Sequence, residues 1–260
     1  MTTATKVRIA YDRVGDGGPA LLMLPGWCTD RAGFHDLLAL TGRHRTCVAL
    51  DWRGHGGSAR NVADFGSADL LDDALTVVEA AGLERVVPVA QSHAGWVAIE
   101  LQRRLGIERV PGIVSLDWMV LGPPPPFMGA LAGLQDPAQW EQVRGALFQM
   151  WTTGVASTAV HAFVDRMGQY SFEMWSRAGR EIAADFARQG SPVAALAEDP
   201  APFLHVYAQP TDDAYLAAQQ DFGTRHPWFD VQRVSGRSHF SNIETPTETA
   251  AAIESFVNGL

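Results

Sequence analysis

Cysteine and charge are both scarce in this sequence, and each scarcity excludes a class of protein. Two cysteines, Cys28 and Cys47, cannot build the disulfide framework of a small secreted domain, and no Cys/His group has the spacing of a zinc site. Charged residues make up 19% of the chain and leave a net charge of −9. A protein that binds nucleic acid or an anionic membrane needs a basic face instead. We therefore expect reduced cysteines, no bound metal, and neither a nucleic-acid nor a membrane partner.

Long hydrophobic runs and internal repeats are also missing. The segment 20–24 is among the longest apolar runs and falls far short of the roughly 20 residues that cross a bilayer. The N-terminal region has no apolar segment typical of a signal peptide. The absence of repeats excludes solenoids and propellers. A chain of 260 residues with 47% hydrophobic content suffices for one domain with a large core, and we expect a cytoplasmic protein.

Short apolar segments alternate with segments of helical period along most of the chain. One apolar helical face recurs from Ser67 to Gly82, and further helices are predicted at 94–105 and 247–257. Strands are predicted at 7–14, 20–24, 46–50, 86–90, 112–116, 203–208 and 231–234. This alternation is typical of an α/β protein with a mostly parallel central sheet and helices on both faces.

The segment 121–200 breaks the alternation. It opens with a glycine and four prolines at 122–126, a run that predicts neither helix nor central strand. Helical spacing without a clear strand follows. We interpret 121–200 as a helical cap inserted into a core formed by 1–120 and 201–260.

The predicted cap carries more methionine and aromatic residues than a solvated helix pair needs. Among them we expect Trp151, Phe148 and Met150 to line an apolar pocket. The alternative is that these side chains only pack the cap against the sheet.

The strongest functional signal is the strand-to-helix junction at Ser92. Ala90 precedes this serine by two positions and Ala94 follows it by two. A nucleophile elbow requires small residues at both places, because the tight turn that exposes the serine hydroxyl leaves no room for bulk. A plain junction between a strand and a helix is the alternative, and companion motifs decide between the two.

Two companion motifs lie in loops that follow early strands. The first carries Trp27, whose backbone N–H, together with that of His93, is expected to form an oxyanion hole. The second is the glycine-rich turn at 51–58, which we expect to be structural and to be held by Arg53 and His55.

His239 follows the final predicted strand, where the chain order Ser…Asp…His places a catalytic base. The acid is open at this point. Asp212 and Asp213 follow the strand at 203–208, but they serve equally well in a turn and a helix cap. Asp117 ends an apolar strand, where an unpaired carboxylate would be costly and an imidazole partner would suit it.

Taken together, these motifs resemble the α/β-hydrolase fold family over nearly the whole chain, with the insertion as the family's cap. A narrower resemblance is to the cofactor-independent 2,4-dioxygenases of 3-hydroxy-4(1H)-quinolones. The tryptophan after Pro-Gly, the Ser-His-x-Gly-Trp elbow and the Asp-Trp pair distinguish this group from common esterases. The motifs that carry the resemblance are Leu24-Pro25-Gly26-Trp27-Cys28, Asp51-Trp52-Arg53-Gly54-His55-Gly56, Ser92-His93-Ala94-Gly95-Trp96-Val97, Asp117-Trp118 and Gly236-Arg237-Ser238-His239-Phe240.

The narrower resemblance implies oxygen chemistry without a metal or organic cofactor. A dyad of His239 and Asp117 would remove the proton of the substrate's 3-hydroxyl group, and Ser92 would hydrogen-bond the substrate or relay its proton. The resulting anion would react with O₂ directly and give an N-acylanthranilate and carbon monoxide. The implied partners are O₂ and a small aromatic heterocycle, a 2-alkyl-3-hydroxy-4(1H)-quinolone.

The sequence departs from the founding members of that group at two positions. Gln91 and Thr29 stand where those enzymes carry histidine. Both side chains can hydrogen-bond a substrate, but neither can hold a proton at neutral pH.

Two other functions compete with the dioxygenase. A serine esterase would use Ser92 as nucleophile and His239 as its base. A non-enzymatic receptor would only bind a hydrophobic signal, and an intact Ser, His and Asp set disfavours it.

Full activity is expected after exhaustive chelation, because the sequence contains no cluster of metal ligands and no phosphate-binding loop. The measurement is O₂ uptake with a 2-alkyl-3-hydroxy-4(1H)-quinolone before and after chelator treatment, with a visible spectrum to test for flavin and haem. Loss of activity that one added metal restores would contradict this expectation.

Overall fold

A seven-stranded sheet forms the centre of the computed structural model, which describes residues 7–260. The strands are β1 (Tyr11–Val14), β2 (Ala20–Leu24), β3 (Cys47–Leu50), β4 (Val86–Gln91), β5 (Ile113–Leu116), β6 (Phe203–Tyr207) and β7 (Phe229–Arg233). Their order is β1-β3-β2-β4-β5-β6-β7, with β1 antiparallel to β3 and the other pairs parallel. The predicted α/β class with a mostly parallel sheet is therefore confirmed.

The inner strands are continuous apolar runs because both faces of the sheet are covered. Every residue of β2, β3, β4, β5 and β6 is buried. Along β2, Leu22 and Leu24 join the core on one face, whereas Leu21 and Met23 join the core on the other. This follows from the period of two in a strand, which sends successive side chains to opposite faces.

The first strand is shorter than predicted, since it begins at Tyr11 instead of residue 7. The backbone carbonyl of Arg8 accepts a hydrogen bond from the N–H of Ala59, and the N–H of Ala10 donates to Ser58 Oγ. The residues before Tyr11 thus bond to the turn that follows β3, and this pairing keeps them from extending the strand.

Helices cover the sheet on both sides. Those outside the predicted cap are α1 (His35–Thr41), α2 (Ser67–Ala80), α3 (Ala94–Leu105), α9 (Asp213–Arg225), α10 (Ser241–Glu244) and α11 (Pro246–Val257). Helices α2 and α3 contribute to the core on one face, and α1 and α11 contribute to the core on the other. No helix within residues 7–260 combines the length and hydropathy that crossing a membrane requires.

The chain between β5 and β6 forms five helices and no strand, as the sequence predicted for this segment. They are α4 (Pro125–Gly133), α5 (Trp140–Thr152), α6 (Thr158–Met167), α7 (Phe172–Gln189) and α8 (Pro192–Glu198), called the cap helices below. The proline run was wrongly excluded from helix, since Pro125 and Pro126 form the first turn of α4. The N–H groups of a first turn have no partner inside the helix, so proline loses nothing there.

The cap helices are joined to the rest of the molecule at the beginning of α2. The backbone N–H of Ser67 donates to Glu181 of α7 over 3.1 Å, and its hydroxyl donates to Asp185 of α7 over 2.6 Å. Arg177 of the same helix forms an ion pair with Asp64, with 2.8 Å between Nε and Oδ1. These contacts orient α7 across the end of α2.

The glycine-rich turn after β3 is held by buried polar contacts. Arg53 pairs with Asp73 over 2.7 Å, and His55 accepts through Nε2 from the backbone N–H of Cys28. These contacts confirm the predicted structural role of both side chains. The buried carboxylate of Asp51 also binds the backbone N–H of Gly57 and an arginine from the loop after β2.

Both cysteines are buried and free of disulfides, which confirms the expectation of reduced thiols. Cys28 lies in the loop after β2, and Cys47 begins β3. Burial raises the pKa of the Cys28 thiol well above its usual range and that of Cys47 to about 11.

Replacing Gly56 by alanine is expected to destabilise the fold more than the same change at Gly82. Both glycines have positive φ, 47° and 64°, which costs an alanine about 1–2 kcal/mol. A Cβ at residue 56 would also overlap the Asp51 carboxylate, whereas nothing lies near one at residue 82. We expect Gly56→Ala to lower the free energy of unfolding by about 3 kcal/mol or more, because it disturbs a buried ion pair. Denaturant unfolding checks this, and equal losses in the two variants would contradict it.

Candidate active site

Ser92 lies in a strained turn between β4 and α3. Its φ is 54°, and its N–H donates to the carbonyl of Leu116 over 2.8 Å. Ala90 and Ala94 are both buried, so the small residues that predicted the elbow do occupy crowded positions. The serine hydroxyl therefore stands beyond the carboxyl end of β4, as in a nucleophile elbow.

His239 meets Ser92 from the loop after β7. Its Nε2 lies 3.1 Å from Ser92 Oγ. Trp151 of α5 stacks on the imidazole with ring centroids 5.1 Å apart, and its carbonyl accepts from the His239 N–H. Burial lowers the pKa of His239 to about 4. The ring is therefore neutral at pH 7 and has a free electron pair with which to take up a proton.

Asp117 follows β5 with a φ of 48° and is 2% exposed. Its carboxylate accepts from the backbone N–H of Ala208 over 2.8 Å and from that of Ser241 over 2.9 Å. Burial raises its pKa to about 6, although the hydrogen bond from Ala208 acts in the opposite direction. Asp117 thus reaches the His239 loop through the backbone of Ser241, while the dyad bond between carboxylate and imidazole is not formed here and stays a prediction.

Neither of the alternative acids lies in the site. Asp212 is the N-cap of α9 and accepts from the N–H of Tyr215 over 2.8 Å. Asp213 forms an ion pair with Arg233 over 2.9 Å, and both aspartates are exposed. Asp212 and Asp213 therefore serve the start of α9, as the alternative interpretation predicted. Of the three candidate acids, Asp117 is the one that lines the same cavity as His239.

A largely apolar cavity brings the predicted residues together. All eight site residues predicted from the sequence line this cavity: Trp27, Thr29, Gln91, Ser92, His93, Asp117, Trp151 and His239. The cap helices supply much of the rest of the wall, with Phe127, Leu131, Leu147, Met167, Trp175, Ala178 and Ile182. The catalytic and binding roles of the predicted residues stay predictions, although their common location is observed.

Gln91 and Thr29, which replace the histidines of the founding members, differ in their surroundings. Gln91 is 1% exposed, and neither its Nε2 nor its Oε1 has a hydrogen-bond partner. A buried amide without partners is costly, so a bound molecule has a strong reason to pair with it. Thr29 instead donates its hydroxyl to the Gly26 carbonyl over 2.8 Å and keeps only lone pairs for a ligand.

One of the cap side chains was placed wrongly by the sequence, and a second lines a different pocket from Trp151's main cavity. Phe148 is absent from the cavity wall and packs behind Trp151, with ring centroids 6.0 Å apart. Met150 is 44% exposed and lines an outer groove that also reaches His239. A helix turns by about 100° per residue, so Met150 faces away from Trp151. Phe148 lies on nearly the same face as Trp151 but is turned toward Trp175, with ring centroids 5.6 Å apart.

The backbone N–H of Ser241 is a contributor that sequence reasoning missed. It belongs to α10 and holds the Asp117 carboxylate, but every residue type except proline offers the same group. Within residues 7–260, no group of three or more His, Cys, Asp or Glu side chains could hold a metal ion.

The fold and this site agree with what comparison with known proteins shows. Residues 21–252 match the model of the alpha/beta hydrolase family. This match covers most of the chain, which therefore belongs to the α/β-hydrolase family.

Individual relatives show to which group within the α/β-hydrolase family the chain belongs. The 2-heptyl-3-hydroxy-4(1H)-quinolone dioxygenase of Mycobacteroides abscessus is 38% identical over 96% of this chain and 94% of its own length. The 1H-3-hydroxy-4-oxoquinoline 2,4-dioxygenase of Pseudomonas putida is 35% identical over 96% of each chain. A solved structure of an AqdC variant with its substrate, the Pseudomonas quinolone signal, superposes with a TM-score of 0.94 at 36% identity over 100% of this chain and 98% of that one. Within its fold, the chain belongs to the 3-hydroxy-4-quinolone 2,4-dioxygenase family, and the resemblance seen in the sequence is confirmed.

We expect kcat/KM to fall as the pH drops through about 6, the pKa to which burial raises Asp117. Above this pH the carboxylate is charged and stabilises protonated His239, and below it that stabilisation is lost. Asp117→Asn should lose this pH step. Its plateau should be lower by about a hundredfold or more, as when the aspartate beside a catalytic histidine is replaced. The measurement is the pH profile of both proteins.

The matched control for this profile is Asp212→Asn, which makes the same change at an exposed helix cap. It should keep the wild-type profile. A step near pH 6 that persists in Asp117→Asn would assign that titration to another group.

Proposed function

We propose that this protein is a cofactor-independent dioxygenase that opens the heterocyclic ring of 2-alkyl-3-hydroxy-4(1H)-quinolones and releases carbon monoxide. The observation that carries the proposal is a neutral, half-buried His239 in a largely apolar cavity, in a chain of the quinolone dioxygenase family. The proposal includes a cytoplasmic location and no nucleic-acid partner, which the net charge of −9 supports.

The first step is removal of a proton from the 3-hydroxyl group by His239. The imidazole is the only base this step needs, and its burial keeps it unprotonated. Proton transfer between two neutral groups creates an imidazolium and a substrate anion together. The nearby Asp117 carboxylate favours the cation.

The anion then reacts with O₂ at C2, and the peroxide-level oxygen closes onto C4. The C2–C3, C3–C4 and O–O bonds break, and C3 leaves as carbon monoxide with its original oxygen. One atom of O₂ ends in the new carboxylate and the other in the amide carbonyl, so the product is an N-acylanthranilate. The balance needs no external reductant, which fits a site built from side chains alone.

The apolar wall formed by the cap helices suits a substrate with an alkyl substituent. Leu131, Leu147 and Ile182 face the cavity from three different helices and offer no polar group. The relative from Mycobacteroides abscessus is named for a 2-heptyl substrate. We therefore place the 2-alkyl chain of this protein's substrate against the cap helices and the hydroxy-keto edge of the ring near His239.

The serine hydrolase remains the second candidate, because the contact of 3.1 Å between His239 Nε2 and Ser92 Oγ also suits an activated nucleophile. The two functions differ in what Ser92 does. In the hydrolase it forms an acyl-enzyme, whereas in the dioxygenase it only hydrogen-bonds the substrate or passes on its proton.

Ser92→Ala is expected to remain measurably active as a dioxygenase and His239→Ala to lose far more. Loss of one hydrogen bond to a charged group costs about 1.5–3 kcal/mol, or roughly ten- to a hundredfold in rate. Removal of the general base costs about 10²–10⁴. The measurement is O₂ uptake and carbon monoxide release with a 2-heptyl-3-hydroxy-4(1H)-quinolone, on variants whose melting temperatures match the wild type.

The outcome that would favour the hydrolase has two parts. Ser92→Ala would be as inactive as His239→Ala, and the wild-type protein would turn over a simple ester. Absence of carbon monoxide from the wild-type reaction would reject the dioxygenase by itself.

A further inference from the structure

The elbow motif and the Asp-Trp pair also contain a glycine and two tryptophans that have no role in the proposed reaction, and these residues pack together. The indole ring of Trp118, from the Asp-Trp pair, lies against the elbow helix at Gly95, where any Cβ would overlap it. Trp96 packs edge-on against the same ring with centroids 4.9 Å apart. The missing Cβ of Gly95 therefore leaves the space in which the Trp118 indole lies beside the elbow.

Seated in this way, the indole determines which nitrogen of His93 carries the proton. Trp118 Nε1 is a donor only, and it lies 3.3 Å from His93 Nδ1. Burial, with a smaller contribution from the nearby His239, lowers the pKa of His93 to about 3, so the ring is neutral at pH 7. A neutral imidazole whose Nδ1 accepts a hydrogen bond must carry its proton on Nε2.

The backbone of Trp118 is held by a second neutral histidine. Its N–H donates to His205 Nε2 over 3.2 Å, and His205 Nδ1 lies 2.6 Å from Gln219 Oε1. The glutamine oxygen can only accept, so His205 donates through Nδ1 and accepts through Nε2. This buried chain from α9 to the elbow leaves Trp118 little freedom to turn away.

The imidazole of His93 forms part of the cavity wall. It stacks on Phe127 with centroids 5.6 Å apart and meets Phe186 edge-on at 5.3 Å. The hydrogen bond from Trp118 to Nδ1 is the one that its ring forms within residues 7–260, and the ring lines the cavity. A donor in an apolar cavity is costly to leave unpaired, so its position calls for an acceptor on the bound molecule.

We propose that the His93 side chain is a substrate-binding residue, which donates from Nε2–H to an oxygen of the hydroxy-keto edge of the bound quinolone, and that Trp118 is the positioning residue that fixes this tautomer. This inference rests on the proposed function for the identity of the ligand. The backbone N–H of His93 is already predicted to be part of the oxyanion hole, and the inference adds a donor from the side chain of the same residue. The bond strengthens once His239 has taken the proton, because the acceptor is then part of an anion.

The tautomer can be tested without catalysis. In protein labelled with ¹⁵N-histidine, the two ring nitrogens of His93 should show an unprotonated Nδ1 and a protonated Nε2 at pH 7, assigned by comparison with His93→Gln. Trp118→Phe should convert this signal to a mixture of tautomers. The matched control is Trp96→Phe, which removes a buried indole N–H that has no partner and should leave the signal unchanged.

The role in binding can be tested on the same variants without O₂, where the substrate binds but is not consumed. The absorption spectrum of the complex gives the ratio of anionic to neutral bound quinolone. We expect His93→Leu to lower this ratio by about ten- to a hundredfold, the value of one hydrogen bond to a charged group. His93→Gln, which retains an N–H donor, should recover part of it. Trp118→Phe should lower the ratio, and Trp96→Phe should not.

Each failure has its own signature. A protonated Nδ1 in wild-type His93, or a His93→Leu complex with the wild-type anion ratio, would overturn the inference even if the enzyme cleaves the quinolone. Equal effects of Trp118→Phe and Trp96→Phe would reduce Trp118 to a packing residue and would also overturn it. A wild-type protein that binds no quinolone would instead reject the proposed function, and the tautomer measurement would still stand.

Discussion

One constraint governs the site: His239 has to be neutral before the reaction and charged during it, inside a largely apolar cavity. Burial satisfies the first half by lowering the pKa of the ring to about 4. The same burial opposes the second half, because a low-dielectric surrounding penalises the imidazolium. The proposed chemistry resolves this conflict, since proton transfer creates a cation and an anion in contact. Their attraction is strongest where water is absent, and the Asp117 carboxylate adds to it.

Three residues in the loops at the carboxyl edge of the sheet have a strained backbone, and two of them, Ser92 and Asp117, are site residues. Cys28, Ser92 and Asp117 have φ values of 58°, 54° and 48°, which non-glycine residues rarely adopt. Such strain persists only where the surroundings over-determine the conformation. Each N–H of these residues is bound to another element: Cys28 to a histidine ring, Ser92 to the end of β5, and Asp117 to β6. Hydrogen bonds to the sheet and to the turn after β3 thus hold the strained backbone of the site in place.

Sequence patterns predicted the parts of the site that local chemistry determines. Small neighbours mark Ser92 as an elbow, and chain order identifies His239. The contacts that join these parts were beyond prediction, because they link distant residues through groups without sequence signature. Asp117 is bound by the backbone of Ser241, and the indole of Trp118 meets a histidine 25 positions away. In the cap, periodicity predicted helices correctly but not the facing of individual side chains, which depends on how five short helices pack.

The two buried thiols bear on how long such an enzyme can work. The thiolate is the form of cysteine that oxygen species attack, and sulfinic and sulfonic products are beyond ordinary repair. Cys28 and Cys47 are inaccessible, and their raised pKa values keep both protonated at neutral pH. The oxidisable side chains beside the reaction are instead those of Met119 and Met167, which line the cavity. Oxidation of either thioether to the sulfoxide would put a polar group into a wall that is otherwise apolar.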